Sequence, residues 1–408
     1  MKVLKPLITL LALCSTLLLS DEGNENLDTF ISDNKKEQFK YDYEKNEAES
    51  SKLRDSWIAP INLNYSYSKS NPYDNKQIQE SASITMDQPI FQSGGIYFGI
   101  KFAEASRKYG DYSVDVAKRK LVKDAISLLM QIKQMDLKID RQNLQIKNSE
   151  ISLEQKKEQY LNGQLDSGFL DSAVIERNIV IQALYDIETN KERLISQFNT
   201  ISDMNYENAP VPTLKLLTQK QFLEHNIILN MSQSEIDRNR YNKNMTISKY
   251  LPKVNFVAGY NWKESQNQQY VPGSASISNE TDYYNYGFKA SMPIDINTFR
   301  DVESSKVDYL KSKVAIQDRK RELKAIFEQV MQNIDNFEKK KQLSVENREL
   351  YERLLSDTQE LFSAGYKTNY DVELLQNSVD IQDRDIKIFE IDKQLELLAL
   401  YEMYKDEI

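Results

Sequence analysis

The segment that decides the fold runs from Ala125 to Tyr160 and reads AISLLMQIKQMDLKIDRQNLQIKNSEISLEQKKEQY. Apolar residues recur along it at strict intervals of seven: Ala125, Ile132, Ile139, Ile146, Leu153 and Tyr160. A second apolar series consists of Leu137, Leu144 and Ile151. At about 100° per residue, the two series form stripes about 140° apart around a helix. A two-stranded coiled coil has a single seam. Two stripes therefore predict a helix with a neighbour on each side, as in a wall or barrel of helices; a core helix of a bundle is the alternative.

The positions of proline and glycine set the lengths of the helices. The prolines after Pro6 are Pro60, Pro72, Pro89, Pro210, Pro212, Pro252, Pro272 and Pro293. Residues 90–209 and 294–408 are therefore free of proline, which inside a helix costs ~3 kcal/mol or more. The first stretch has glycine in its later part only at Gly163 and Gly168, and the second only at Gly365. We predict two long helical hairpins, at about 96–205 and 300–406. The second has a weaker heptad signal, which breaks at Ser344.

Four shorter segments between the helical stretches alternate apolar and polar residues. They predict strands at about 57–69, 81–91, 250–262 and 283–294, with polar loops at 69–80 and 263–282. The last strand places Tyr284, Tyr286 and Phe288 on one face. Such alternation over about ten residues is typical of a strand in a membrane β-barrel. A half-buried strand of a soluble sheet produces the same pattern.

The two halves of the chain repeat the same order of elements. Each half runs helix, strand, loop, strand, long helix, glycine break and returning helix, and 160-YLNG-163 aligns with 362-FSAG-365 at an offset of 202. Asp171 then aligns with Asp371 only if the first copy holds two extra residues. A repeat of about 200 residues indicates a duplication, and it predicts two units, 21–209 and 210–408.

The first twenty residues have the pattern of an export signal. Lys2 and Lys5 precede the apolar run 7–19, and Ser20 precedes an acidic polar stretch. We expect residues 1–20 to be a signal peptide that is cleaved after Ser20. The alternative is a lipoprotein anchored at Cys14, although Leu13 stands where a lipobox has a small residue.

Composition excludes most chemistry. The formal net charge of −9 argues against a nucleic-acid binder, which needs a basic face. One histidine and one cysteine leave few means of building metal sites, nucleophiles or imidazole acid–base pairs. His225 is expected to be a structural or surface residue, and Gly94-Gly95 lacks the Gly-Lys-Ser/Thr of a phosphate loop. We therefore expect no enzyme, and no catalytic, cofactor or metal site.

The chain resembles the TolC-type outer-membrane efflux proteins. The resemblance rests on the export signal, the duplicated strand–strand–hairpin unit, Leu251-Pro252, and 362-FSAG-365 followed by Asp371-Val372. It implies a mainly α-helical fold: a trimer with a 12-stranded β-barrel in the outer membrane, four strands from each chain, continued by a tunnel of helices through the periplasm. It also implies a periplasmic adaptor and an inner-membrane pump, of the resistance-nodulation-division or ATP-binding type, in tripartite efflux or type I secretion.

The same resemblance places the channel entrance at the hairpin tips. Gly365 takes the place of the family's tip glycine, Lys367 that of a basic residue that holds the entrance shut, and Asp371 that of an acidic ring. The position of the family's second acid is occupied here by Leu374. Glu373 is the next residue in the chain but lies about 100° from Leu374 around the helix, so only the Asp371 ring follows the family's pattern. Asp371 can equally cap the returning helix after Thr368.

The other hairpin tip has its own candidate residues. Gly163 and Asp171, with Asp166 and Ser167 between them, are candidates for adaptor docking.

The residues themselves lead to the same number of copies. Four strands in lipid cannot remain an open sheet, because its edges would leave backbone groups unpaired. Two copies give 8 strands, whose interior side chains fill, whereas three give 12 and a lumen. The alternatives are a periplasmic adaptor, which has one hairpin between β domains, and a surface coiled-coil stalk, which leaves the paired strands and the repeat unexplained.

Overall fold

The computed structural model describes residues 28–72, 76–268 and 277–405. The proposed signal peptide and Cys14 lie outside these residues. The elements, in chain order, are α1 (Asp33–Arg54), β1 (Asn62–Ser70), β2 (Lys76–Phe91), α2 (Gly95–Leu161), α3 (Ser167–Ile201), α4 (Gln219–Glu224), α5 (Ile227–Lys249), β3 (Lys253–Gln268), β4 (Ile277–Ser291), α6 (Thr298–Ser363) and α7 (Asn369–Tyr401).

Two helical hairpins dominate the molecule. Helix α2 has 67 residues and α6 has 66, so each is about 100 Å long at ~1.5 Å per residue. Each folds back on a shorter helix, α3 or α7, and α2 also packs against α1, α5 and α7. The two apolar stripes of α2 thus meet neighbours on more than one side. On α6, Ser344 is buried in line with the heptad series that it was thought to break. A small hydroxyl side chain continues the packed seam there without adding an apolar residue.

The hydrophobic core lies halfway along the long helices. Ile126, Leu129 and Met130 of α2 are fully buried, and they belong to one cluster with Phe222 of α4 and Leu398 of α7. The connections between the two halves and the ends of the returning helices wrap around α2 and α6 at this level. The core therefore joins the two hairpins midway along their length, and the far ends of the hairpins extend beyond it.

The four strands form one antiparallel sheet in the order β1-β2-β3-β4. β2 and β3 pair over almost their full lengths, with Ile84 opposite Tyr260 and Lys76 opposite Gln268. Within the described residues, β1 and β4 each have a partner on one side only. The sheet thus joins the two halves of the chain through its inner strands and presents two open edges.

The predicted strand bounds are wrong at their ends. β1 begins at Asn62 instead of 57 because the Gln88 side chain binds the preceding segment: it accepts a hydrogen bond from the Ala59 backbone N–H and donates one to the Trp57 carbonyl. β2 begins at Lys76, and β3 extends to Gln268, because backbone pairing continues where the side chains on both faces are polar. β4 covers Ile277–Ser291 and stops before Pro293, which has no N–H to donate. The strands thus extend into the segments 69–80 and 263–282 that were predicted as loops.

The two faces of the sheet differ in character. Directly opposite residues share a face, which places Leu63, Ile84, Tyr260, Tyr284 and Phe288 on one side. All but Ile84 and Tyr260 are more than half exposed, and even these two are 48% and 45% exposed. The other face is mainly polar, with Asn255, Asn261 and Asn285, although Val257 and Tyr283 also lie on it. An apolar, aromatic and exposed face is the property expected of a sheet in contact with lipid.

Of the helices in the described part of the chain, none is both long and apolar enough to span a bilayer.

Candidate functional site

Both hairpin tips are built in the same way. At the first tip, Gly163 adopts φ 70° and the Gln164 N–H donates to the Gln159 carbonyl at 2.8 Å. At the second, Gly365 adopts φ 80° and the Tyr366 N–H donates to the Leu361 carbonyl at 2.9 Å. Together with the bonds from Gly163 to Tyr160 and from Gly365 to Phe362, these are Schellman motifs, in which a left-handed residue satisfies the last helical carbonyls. The tip glycines are therefore required by the backbone.

Each returning helix begins with a side-chain cap three residues after the tip glycine. Asp166 caps α3, and its carboxylate accepts the Gly168 N–H at 2.6 Å. Thr368 caps α7 in a capping box: its hydroxyl accepts the Asp371 N–H at 3.3 Å, and the Asp371 carboxylate accepts the Thr368 N–H at 2.9 Å. Asp371 thus takes part in the cap at its third helical position, whereas Thr368 is the cap residue itself.

The identical spacing corrects the alignment of the two tips. Gly163 precedes its cap by three residues, and so does Gly365, so the offset of 202 continues through both tips without extra residues. The first-tip position that corresponds to Asp371 is therefore Phe169, and Asp171 corresponds to Glu373. The sequence comparison failed here because it matched residue type, aspartate with aspartate, instead of position in the cap.

The three predicted entrance residues lie together on the first turns of α7 and just before it. The Lys367 Nζ is 3.9 Å from the Asp371 Oδ1, and both side chains are partly exposed. Glu373 faces another partner, since the Asn369 amide donates to its carboxylate at 2.5 Å. The hydrogen bond from the Thr368 backbone N–H lowers the pKa of the Asp371 carboxyl. Burial of the carboxyl opposes this shift, whereas the Thr368 hydroxyl and the Lys367 ammonium add to it. Asp371 therefore carries its negative charge at neutral pH.

Tyr370 connects the second tip to the first hairpin and was not found from the sequence. Its phenol lies beside α2, where the charge of Glu158, followed by burial and by the charge of Glu154, raises the pKa of the phenol. The phenol thus stays protonated and can donate to these carboxylates. The sequence signal that could have identified Tyr370 is its position directly before Asp371.

A belt of ion pairs joins the hairpins farther from the tips. Arg141 of α2 pairs with Asp385 of α7 at 2.9 Å, and Arg384 of α7 pairs back with Asp140 of α2 at 3.4 Å. The reciprocal pairs place two charges of each sign between the hairpins, where they fix the register of α2 against α7.

Large apolar side chains are exposed near both tips. Leu161, Phe169 and Ile179 of the first hairpin are 73%, 56% and 61% exposed, and Tyr366 of the second is 80% exposed. Scattered single apolar residues are ordinary on a surface, but Leu161, Phe169 and Ile179 follow one another along the end of the first hairpin.

The remaining predicted residue, His225, ends helix α4 at an exposed position, and its carbonyl accepts the Lys405 N–H at 2.8 Å. In the described part of the chain, no three or more His, Cys, Asp or Glu side chains come together in a way that could hold a metal ion.

Comparisons with known proteins agree with this architecture. Residues 219–403 match the family described as outer membrane efflux protein. No curated protein matches the sequence. Among solved structures, the CmeC outer membrane channel of Campylobacter jejuni is similar, with a TM-score of 0.68 and 11% identity over 94% of this chain and 87% of that chain.

Two further structures are similar to the same extent. The outer membrane protein VceC of Vibrio cholerae has a TM-score of 0.67 and 11% identity over 90% of this chain and 93% of that chain. A membrane protein from Pseudomonas aeruginosa has a TM-score of 0.69 and 9% identity, covering 94% and 96%. The second half of the chain thus carries the sequence pattern of the outer membrane efflux proteins, and the chain as a whole has the fold of the TolC-type outer-membrane channels.

Proposed function

We propose that this protein is the outer-membrane exit duct of a tripartite efflux or type I secretion system. Three copies form a passive channel that receives its substrates from a periplasmic adaptor and an inner-membrane pump. The family match over residues 219–403 and the fold shared with outer membrane channels support this proposal. Each half of the chain, 21–209 and 210–408, contributes one strand pair and one hairpin.

The observation that carries the proposal is the four-stranded sheet with two open edges and an exposed aromatic face. In lipid, the unpaired backbone groups of β1 and β4 must find partners. Pairing β1 of one copy with β4 of the next closes the sheet, and three copies give twelve strands around a lumen. The aromatic face then contacts lipid in the outer membrane, and the polar face lines the lumen.

The helical hairpins supply the periplasmic tunnel. Their exposed apolar residues, including Ile179 on α3 and Val314 on α6, require a neighbour that covers them. Side-by-side packing of hairpins from three copies provides that cover and places all six tips at the far end. The entrance is then ringed by three copies of Asp371, with Lys367 beside each carboxylate, and Glu373 lies about 200° away around α7.

The tips are the proposed docking surface for the adaptor. Gly163 and Gly365 leave both turns free of side chains, and nothing lies within 4 Å of the position of an added Cβ. Asp171 lies near the first of these turns, and Phe169 and Leu161 give that tip its apolar contact area. Docking that separates Tyr370 from Glu158 would release the second hairpin from α2 and widen the entrance.

The proposal is tested with the purified chain in a planar lipid bilayer. We expect protein from the outer-membrane fraction to migrate as a trimer that heat converts to monomer, and to give discrete cation-selective conductance steps. A compact monomer that stays in solution without detergent would contradict the proposal, and so would a membrane-bound trimer that gives no conductance.

A further inference from the structure

A cavity of about 290 Å³ lies where the sheet meets the helices. Its wall is formed by the last turn of α1 and the segment after it, the end of β2, the first turns of α2, the last turns of α5 and the first residue of β3. β2 and β3 are the inner strands of the sheet. The cavity therefore lies away from the two edges that pair with other copies in the proposed trimer.

Two glycines one turn apart on α2 leave this space open. A Cβ at Gly95 would lie 3.3 Å from the Cβ of Ser248 on α5, which is tighter than an ordinary contact, so glycine suits the close approach of the two helices there. A Cβ at Gly99 would meet only the Met245 Sδ, at 3.8 Å, which is an ordinary contact. The backbone therefore tolerates a side chain at Gly99, and a large one would fill the cavity.

The lining combines an apolar wall with cationic groups. Trp57, Ile96 and Met245 are apolar or aromatic, while Lys249 and Lys253 carry positive charge. A third cation, Arg54, also lines the cavity, but its guanidinium is bound by Asp55 at 2.9 and 3.0 Å.

The two lysines have no such partner. Within 28–72, 76–268 and 277–405, neither Lys249 nor Lys253 is paired with a carboxylate, and no aspartate or glutamate lines the cavity. Two uncompensated ammonium groups beside an indole and aliphatic side chains are complementary to an organic anion with an apolar body.

The strand residues of the cavity belong to the polar face of the sheet. Pro89 lies directly opposite Asn255, and Lys253 is two residues from Asn255 on the same strand. All three therefore share the face opposite the aromatic one. In the proposed channel this face lines the lumen, which gives the cavity access to passing molecules.

We infer that this cavity is a binding site for amphipathic anions that travel through the lumen. The carboxylate or sulfonate of such a molecule lies between Lys249 and Lys253, and its apolar body lies against Trp57, Ile96 and Met245. The assignment to the lumen rests on the proposed function, whereas binding itself does not. The volume lies at the lower end of the ~300–1,000 Å³ typical of small-molecule sites, which suits a single short chain or ring.

Trp57 provides a direct readout of binding. The chain has two tryptophans, Trp57 and Trp262, and the second lies on β3 with its indole bound to Glu280. In the Trp262→Phe channel, reconstituted in nanodiscs of phosphatidylcholine alone, we expect decanoate to change the Trp57 fluorescence with saturation. Decyltrimethylammonium, which has the same chain length and the opposite charge, should give no saturable change.

Variants separate the contributions of charge and space. Replacing both Lys249 and Lys253 by Gln should weaken decanoate binding about tenfold or more, and Lys253→Arg should retain it. Gly99→Leu should abolish binding without removing a charge. Lys289→Gln is the matched control, because Lys289 lies directly opposite Asn255 on the same face but does not line the cavity.

Four outcomes would overturn the inference. Equal binding of decanoate and decyltrimethylammonium would show that the lysines do not select for an anion. Equal loss of decanoate binding in Lys289→Gln and in the double variant would show that binding depends on the overall charge of the lumen and not on this cavity. A lysine-dependent change on adding phosphatidylglycerol to the nanodiscs, with none from decanoate, would assign the site to a membrane lipid. Conductance is measured on the same preparations: a conducting channel that fails to bind decanoate contradicts this inference and leaves the proposed function intact.

Discussion

Asp371 combines an observed structural contact with a proposed electrostatic role. Its carboxylate accepts hydrogen bonds from the Thr368 N–H at 2.9 Å and the Thr368 hydroxyl at 2.8 Å, while one oxygen remains 3.9 Å from Lys367. The cap holds the carboxylate at the first turn of α7, and the charge acts at the entrance of the proposed channel. The two contributions can be separated because each depends on a different partner.

Two variants separate the cap from the charge. Thr368→Ala removes the capping hydroxyl and should cost about 0.5–2 kcal/mol of local helix stability, with cation selectivity retained. Asp371→Asn keeps an acceptor for the Thr368 N–H but removes the charge, and should lower the cation-over-anion permeability ratio about twofold or more. Reversal potentials in planar bilayers measure selectivity, and hydrogen exchange of residues 363–372 measures the cap. Unchanged selectivity in Asp371→Asn would leave Asp371 with the cap alone.

The lowered pKa of Asp371 makes this contribution dependent on pH in one direction. A carboxyl whose pKa is lower in the folded state stabilises that state above its unfolded pKa of about 3.9, and the contribution is lost as the pH falls through the folded pKa. Hydrogen exchange of the tip should therefore differ between wild type and Asp371→Asn by a constant factor at neutral and mildly acidic pH. The difference should narrow only below about pH 3.9. A loss of the difference near neutral pH would contradict the assigned direction.

At the scale of elements, the two hairpins end in the same turn although their tip sequences differ. In both, a left-handed glycine closes the long helix, and a capping side chain three residues later opens the returning helix. The repeat is therefore clearest in backbone geometry. The ion pairs between the hairpins also belong to this scale. Arg141 pairs with Asp385, and Arg384 with Asp140, only because α2 and α7 lie side by side.

The tip glycines can be tested against a matched glycine elsewhere. Gly365→Ala places a side chain in open space but at φ 80°, so we expect a cost of about 1–2 kcal/mol from the left-handed backbone alone. Gly287→Ala on β4 also enters open space, without a positive φ, and should be neutral or slightly stabilising. Exchange of the Tyr366 amide, which is bound to the Leu361 carbonyl, reports the first effect. Equal protection in wild type and Gly365→Ala would contradict the strain argument.

At the scale of the whole molecule, the edges and the aromatic face of the sheet are the features that the proposed assembly would cover. Its edges are open and its aromatic face is exposed, with Tyr284, Tyr286 and Phe288 each about three-quarters exposed. The halves of the chain meet at the β2–β3 pairing and in the mid-length core, so one chain forms one third of the proposed channel.

Neighbouring residues on opposite faces of β4 test this arrangement. Tyr286→Arg places a charge on the proposed lipid face and should destabilise the inserted barrel by about 2–4 kcal/mol. Asn285→Arg places the same charge on the face that lines the proposed lumen and should be tolerated. The yield of heat-modifiable trimer in the outer-membrane fraction measures both. Equal yields of the two variants would contradict the assignment of the faces.

Most of the architecture could be read from single residues and their spacing. Proline-free stretches, heptads and isolated glycines determined two long hairpins, because helix length depends on local backbone restrictions that the sequence displays directly. Alternation and aromatic content likewise identified four strands. The strand ends were misplaced, since the Gln88 side chain and the pairing of polar segments set them through contacts between distant residues.

Only the tertiary structure shows which charged residues form ion pairs and where a cavity lies. The contact of Tyr370 with α2, the ion pairs between α2 and α7, and the cavity beside Gly99 all depend on where helices lie relative to one another. Local spacing fixes the conformation of each element because its hydrogen bonds lie within that element or its hairpin. The functional surfaces depend on elements that are far apart in sequence, and their positions follow from packing.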